Sequence, residues 1–205
     1  MTPERTPSFS LMQAVKRRFF AMRNGDLAAQ MAKGGIRYRI NFGLTLPQIQ
    51  EIADSAVSGR LPDYTQTPTE AERLELGMWL WHNDTTRESR LAAPMILRAP
   101  DLDKHTAATL LHEVATTEEA DVLCHRLLRF HPDAAGIAAA VLKDTEPAVL
   151  QRYAALRLVL NLLISNRISP AEALVLISNE KGTENRLLTQ LCSRIEEEAD
   201  FMASC

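Results

Sequence analysis

Lys16, Arg17, Arg18 and Arg23 lie on one stretch of chain, and Arg37 and Arg39 follow the next. Such side chains either contact phosphates or form a solvated basic face. Lys16, Arg17 and Arg18 span about 200° of a helix, so they cannot all serve one surface. Further on, Asp121 stands one helical turn before His125. Early in a helix a carboxylate suits the positive helix end and can pair with a side chain four residues on. Arg152 falls in a segment, 146–165, that is apolar nearly all round apart from a stripe of Arg157, Asn161 and Ser165, read as its solvated side. At 100° per residue Arg152 lies about 180° from Asn161. It therefore either faces a groove or pairs internally with a carboxylate, and Asp121 is the first partner to test. Glu88, with Arg87 and Arg90, reads as a capping and surface-charge set. Trp79 and Trp81 lie about 200° apart on a helix, so at most one is central to a core.

Other chemistries have no motif in this chain. There is no P-loop, dinucleotide fingerprint, metalloprotease helix or nucleophile elbow. His112, His125 and His131 form no ligand set, and Cys124, Cys192 and Cys205 are too scattered for a metal site or a disulfide framework. Neither a metal nor a cofactor is expected. Free thiols suit a reducing compartment, which makes the cytoplasm the expected location. No signal peptide is visible, and the apolar run Leu158 to Ile164 is far too short to span a bilayer. The chain has 205 residues, 46% hydrophobic and 24% charged, enough for a sizeable core. The net charge of −3 conceals an asymmetry. Residues 1–60 carry nine Lys/Arg against four Asp/Glu, or +5, and residues 61–205 carry fourteen against twenty-two, or −8.

These side chains must be positioned by helices. Only Ile36 to Phe42 alternates as a strand would. Helix starts are frequent: Thr45-x-x-Gln48, Thr67-x-x-Glu70, Thr85-x-x-Glu88, Thr116-x-x-Glu119 and Ser169-x-x-Glu172 match the reciprocal capping box. Pro68 and Pro170 suit a first helical position, where their missing N–H costs nothing. Apolar spacing and caps predict eleven helices over 9–23, 26–33, 46–58, 68–82, 86–98, 102–114, 117–130, 133–143, 146–165, 170–180 and 184–203, with a kink at Pro94. Residues 1–8 are expected to fray, and 59–67 to form the longest loop. Short connections make neighbouring helices antiparallel, and starts near 85, 116 and 145 recur at the period of a two-helix repeat. The expectation is an all-α fold, a HEAT-like α-α superhelix in which 1–205 form a single helical-repeat domain, with the concave face as the binding surface. A monomer with no membrane segment is expected.

Four stretches resemble a known family. Ile36 to Ala53 (IRYRINFGLTLPQIQEIA), Leu76 to Met95 (LGMWLWHNDTTRESRLAAPM), Thr116 to Leu128 (TTEEADVLCHRLL) and Val149 to Leu156 (VLQRYAAL) are similar, in this order, to the AlkD-like DNA alkylation repair glycosylases. The resemblance covers roughly residues 10–165. It implies a HEAT-like fold that binds duplex DNA and excises cationic alkylpurines. It also implies that Asp121 is the catalytic carboxylate, stabilising the cationic sugar as the glycosidic bond breaks and helping to position a water, and that Arg152 binds a phosphate. Lys16, Arg17, Arg37 and Arg39 would add phosphate contacts beside the groove.

The chain departs from that pattern at its aromatics. Thr117 stands one turn before Asp121, where the family has Trp, and after Tyr153 only Phe201 is aromatic. The second expectation is therefore a non-catalytic HEAT-like scaffold that binds a peptide or protein in its groove.

Overall fold

The computed structural model describes residues 7–144, 147–180 and 182–204. Among them the chain is all helical, with eleven α-helices, no strand and two isolated β-bridges. No helix among them is long and apolar enough to cross a membrane. Internal contacts fall into two compact units, Met1–Arg98 and Ala99–Cys205. The first holds α1 (Pro7–Ala21), α2 (Gly25–Lys33), α3 (Leu46–Val57), α4 (Glu70–His82) and α5 (Arg87–Ile96). The second holds α6 (Lys104–His112), α7 (Thr117–Arg126), α8 (Ala134–Lys143), α9 (Val149–Ile164), α10 (Pro170–Leu176) and α11 (Arg186–Ala203), with short 3-10 turns at Ala99–Asp101, Leu128–Phe130 and Ser178–Glu180. The fraying expected of residues 1–8 lies outside the described residues for 1–6, and Pro7 and Ser8 open α1. The start of α9 expected at 146 also lies outside them.

Two capping boxes stand as expected. Thr45 N donates to Gln48 Oε1 at 2.9 Å while Gln48 N donates to Thr45 Oγ1 at 3.5 Å. Ser169 and Glu172 do the same at 2.8 and 3.2 Å, with Pro170 in the first turn. At the third start Thr116 Oγ1 accepts from Glu119 N at 3.1 Å, and the Glu119 carboxylate accepts from Ala115 N at 2.8 Å. Two boxes differ from expectation. α4 is capped by Thr69 with Glu72, a competing match two residues later, so Pro68 precedes the cap. At α5 the cap position is Thr86, which makes no side-chain cap bond, because Glu88 turns into the core instead. Pro94 lies inside α5, which ends two residues beyond it.

In the first unit Leu11, Val15 and Phe19 recur every four residues on α1 and bury against α3 and α4. Ile49, Ile52 and Ala53 of α3 and Leu91 and Ile96 of α5 complete that core. Trp81 is fully buried and Trp79 is 39% exposed, as their angular separation requires. α4 and α5 approach closely enough that a Cβ on Gly77 would fall 2.5 Å from Leu97 Cγ. In the second unit α9 is the central element and packs on α6, α7, α8, α10 and α11. That placement explains why residues Ala154 to Leu163 are apolar almost all round.

Candidate functional site

Asp121 and His125 on α7 and Arg129 in the following turn repeat every four residues, so they share one face. Tyr153, Arg157 and Asn161 do the same on α9. The two helices run side by side in the same direction. Asp121 meets Tyr153 and Arg157 near one end, Cys124 Sγ donates to Ala154 O at 3.2 Å, and Arg167, just beyond α9, donates to Arg129 O. Two polar stripes therefore face each other within the second unit.

At the first end of the stripes the Tyr153 hydroxyl donates to Asp121 Oδ1 at 2.9 Å. Burial, the adjacent Asp121 charge and that hydrogen bond push the phenol well above its usual range, so it stays a donor. Arg157 Nε lies 3.0 Å from the same oxygen. Its N–H is not aligned on the carboxylate, so the contact is an ion pair without a hydrogen bond. Asp121 keeps 39% of its side chain exposed. Among the described residues nothing donates to its Oδ2. Beneath the stripe the Cys124 thiol is pushed well above the usual thiol range by burial and then by Asp121.

The rest of the stripe is cationic. His125 is held below the usual histidine range by desolvation first, then by Arg129, Arg126 and Arg157. Arg129 Nε, Arg157 Nε and Asn161 Nδ2 are buried, and none makes a hydrogen bond among the described residues. Of the stripe expected to be solvated, Ser165 is exposed and Arg157 partly so, but Asn161 is only 7% exposed. Arg157 is the member of that stripe that meets α7, through Asp121. Arg129 and Arg157 keep part of their side chains exposed, which puts positive charge beside the half-exposed Asp121 carboxylate.

Arg152 takes the internal pairing of its two alternatives, and its partner is Glu180 rather than Asp121. Its Nε donates to Glu180 Oε1 at 2.8 Å and its Nη2 to Oε2, and Glu180 is 2% exposed. Arg152 precedes Arg157 by five residues, about 140° round the helix, which turns it toward the Ser178–Glu180 turn. Arg157 was the residue that sequence reasoning missed. The signal was available as the fourfold spacing of polar residues on both helices.

In the first unit the ammonium of Lys16 sits 4.9 Å from the Trp79 ring centre. Arg17 pairs with Asp63 at 3.0 Å, both well exposed, a weak contact in water. Arg37 and Arg39 are exposed and have no ion-pair partner among the described residues. They lie on the irregular segment 36–45, and Glu88 holds that segment. Its carboxylate is fully buried and accepts from Phe42 N at 3.1 Å and Leu44 N at 3.3 Å. Arg87 Nη1 lies 3.4 Å from the same carboxylate and donates to Leu44 O at 2.8 Å. Arg90 stacks its guanidinium 3.8 Å from the Trp81 ring centre and donates to Trp81 O at 2.8 Å. The set expected on the surface is thus wholly internal, because three apolar flanks at Leu91, Ala92 and Ala93 carry the start of α5 into the core.

Among the described residues no cluster of three or more His, Cys, Asp or Glu could hold a metal ion. No family model, curated protein or solved structure matches the chain.

Proposed function

We propose that this chain is a HEAT-like helical-repeat protein that binds the phosphates of duplex DNA, with Asp121 set to stabilise the cationic sugar of an alkylpurine nucleotide. The observation that carries the reading is the α7–α9 stripe. Arg129 and Arg157 hold partly exposed cationic side chains there, beside a half-exposed carboxylate. Arginine side chains form strong charge-assisted hydrogen bonds with phosphate oxygens. These cations are concentrated in a unit whose overall balance is acidic, ten Lys/Arg against sixteen Asp/Glu over 99–205. Arg37 and Arg39, exposed on the first unit, supply further phosphate contacts. The ordered resemblance to the alkylation repair glycosylases supports the substrate class.

The test is titration of a short duplex over a range of salt, together with release of alkylated base from methylated duplex. Phosphate binding must weaken steeply as salt rises. Base release by the wild type and its loss in Asp121→Asn establishes excision. Salt-insensitive or absent duplex binding overturns the reading. A second reading, a non-catalytic scaffold for a peptide or protein, is favoured by one observation: Arg152 is committed to Glu180. Capture of a defined peptide with no duplex binding would support it.

A further inference from the structure

Glu88 is the least accessible carboxylate in the first unit, and it binds backbone rather than substrate. Its two oxygens take the amides of Phe42 and Leu44, more than forty residues away in sequence. Arg87 completes the clamp through Leu44 O, and its own N–H donates to Ile40 O at 3.1 Å. Ile40 N in turn donates to Thr85 O at 2.8 Å. On the other side Asn24 N donates to Phe42 O at 2.7 Å. Gly43, at φ +73°, lies so close to α2 that a Cβ would fall 2.1 Å from Asn24 O. Every polar backbone atom named here belongs to the segment that carries Arg37 and Arg39 or to the helix ends that grip it.

Burying a carboxylate and a guanidinium is costly, and apolar side chains of similar size would close a core at less cost. What the ions provide is direction. Two acceptor oxygens on alternate amides fix the path of the segment beyond its single bridge at Ile40, where no ladder or helix continues. The segment opens with two exposed arginines that have no internal ion pair among the described residues. We infer that Glu88 is a positioning residue for phosphate contact by Arg37 and Arg39, acting through the backbone of 36–45 without touching the nucleic acid. The inference rests on the duplex-binding reading above.

The experiment is a double-mutant cycle on the full chain. Duplex affinity is measured against salt for wild type, Glu88→Gln, Arg37→Ala/Arg39→Ala and the three substitutions combined. Glu88→Gln weakens binding about five- to tenfold and makes the log–log salt dependence shallower by up to about two. The combined variant binds no more weakly than Arg37→Ala/Arg39→Ala. Amide hydrogen exchange shows Phe42 and Leu44 losing protection in Glu88→Gln while α3 keeps its own. An equal loss from Glu88→Gln in both backgrounds marks a general structural role and overturns the inference, as does no loss at all. If Arg37→Ala/Arg39→Ala binds like wild type, the inference falls and the duplex-binding reading stands. If the wild type does not bind duplex, both fall. Should Glu88→Gln fail to fold, Arg87→Lys, which shortens the reach to Leu44 O, enters the same cycle with the same outcomes.

Discussion

Arg157 is the guanidinium that stands beside Asp121, its Nε 3.0 Å from the Oδ1 that also accepts the Tyr153 hydroxyl. One carboxylate oxygen is thereby occupied by two groups from α9, and the side chain as a whole stays 39% exposed. A carboxylate held in this way is a fixed charge. It is better suited to stabilising a positive charge electrostatically than to moving a proton.

Asp121→Asn therefore separates binding from chemistry. It removes a negative charge from the stripe proposed to bind phosphate, so on that reading duplex affinity holds or rises while release of alkylated base is lost. Tyr153→Phe deletes the donor to Oδ1 and lowers stability by about 1 kcal/mol in chemical denaturation. Loss of affinity in Asp121→Asn would contradict this assignment.

Arg157 and Arg152 should respond oppositely. Arg157→Ala weakens duplex binding and reduces the salt slope by about one, with little change in stability. Arg152→Ala leaves Glu180 buried without its partner and costs about 2–3 kcal/mol in denaturation, with affinity unchanged while the chain is folded. The partial exposure of Arg152, 28% of its side chain, places the cost below that of a fully buried pair.

His125 makes the stripe sensitive to pH. Its proton affinity is lower in the folded chain, through desolvation and then Arg129, Arg126 and Arg157. The unfolded chain thus binds more protons as pH falls through the ordinary histidine range near about 6.5, so stability declines there. A bound phosphate reverses the local field and draws the proton back. Duplex binding then tightens as pH falls from about 7.5 to about 5.5, beyond the change seen in His125→Gln. Melting and titration series for the two proteins check both signs, and identical profiles would remove His125 from the stripe.

Gly43→Ala tests the close approach that seats the Arg37–Arg39 segment. The substitution forces an L side chain into the left-handed region and drives its Cβ against Asn24 O and Ala28 N. We expect a loss of about 2 kcal/mol or more in urea denaturation, far above the few tenths expected of Arg17→Ala at the exposed Asp63 pair.

Local chemistry was readable from the chain itself. Caps at Thr45, Thr116 and Ser169, and apolar spacing between them, determine where helices start and which face is buried, because both act within a few residues. The same locality explains the two misread starts. Thr67-Glu70 and Thr69-Glu72 are equally good matches, and Thr85-Glu88 satisfies the pattern while its carboxylate has a stronger use elsewhere. Only the tertiary structure decided that use, since the amides of Phe42 and Leu44 lie far from Glu88 in sequence and reach it only when α5 packs on the segment before α3. It also decided between Arg152 and Arg157. Helical geometry separates the two side chains by angle, but which of them meets Asp121 and which meets Glu180 depends on what α9 packs against. The polar spacing on α7 and α9 was present in the residues. The burial of Asn161 and the contact of Arg157 with Asp121 came from enclosing α9, and that enclosure is a property of the assembled unit.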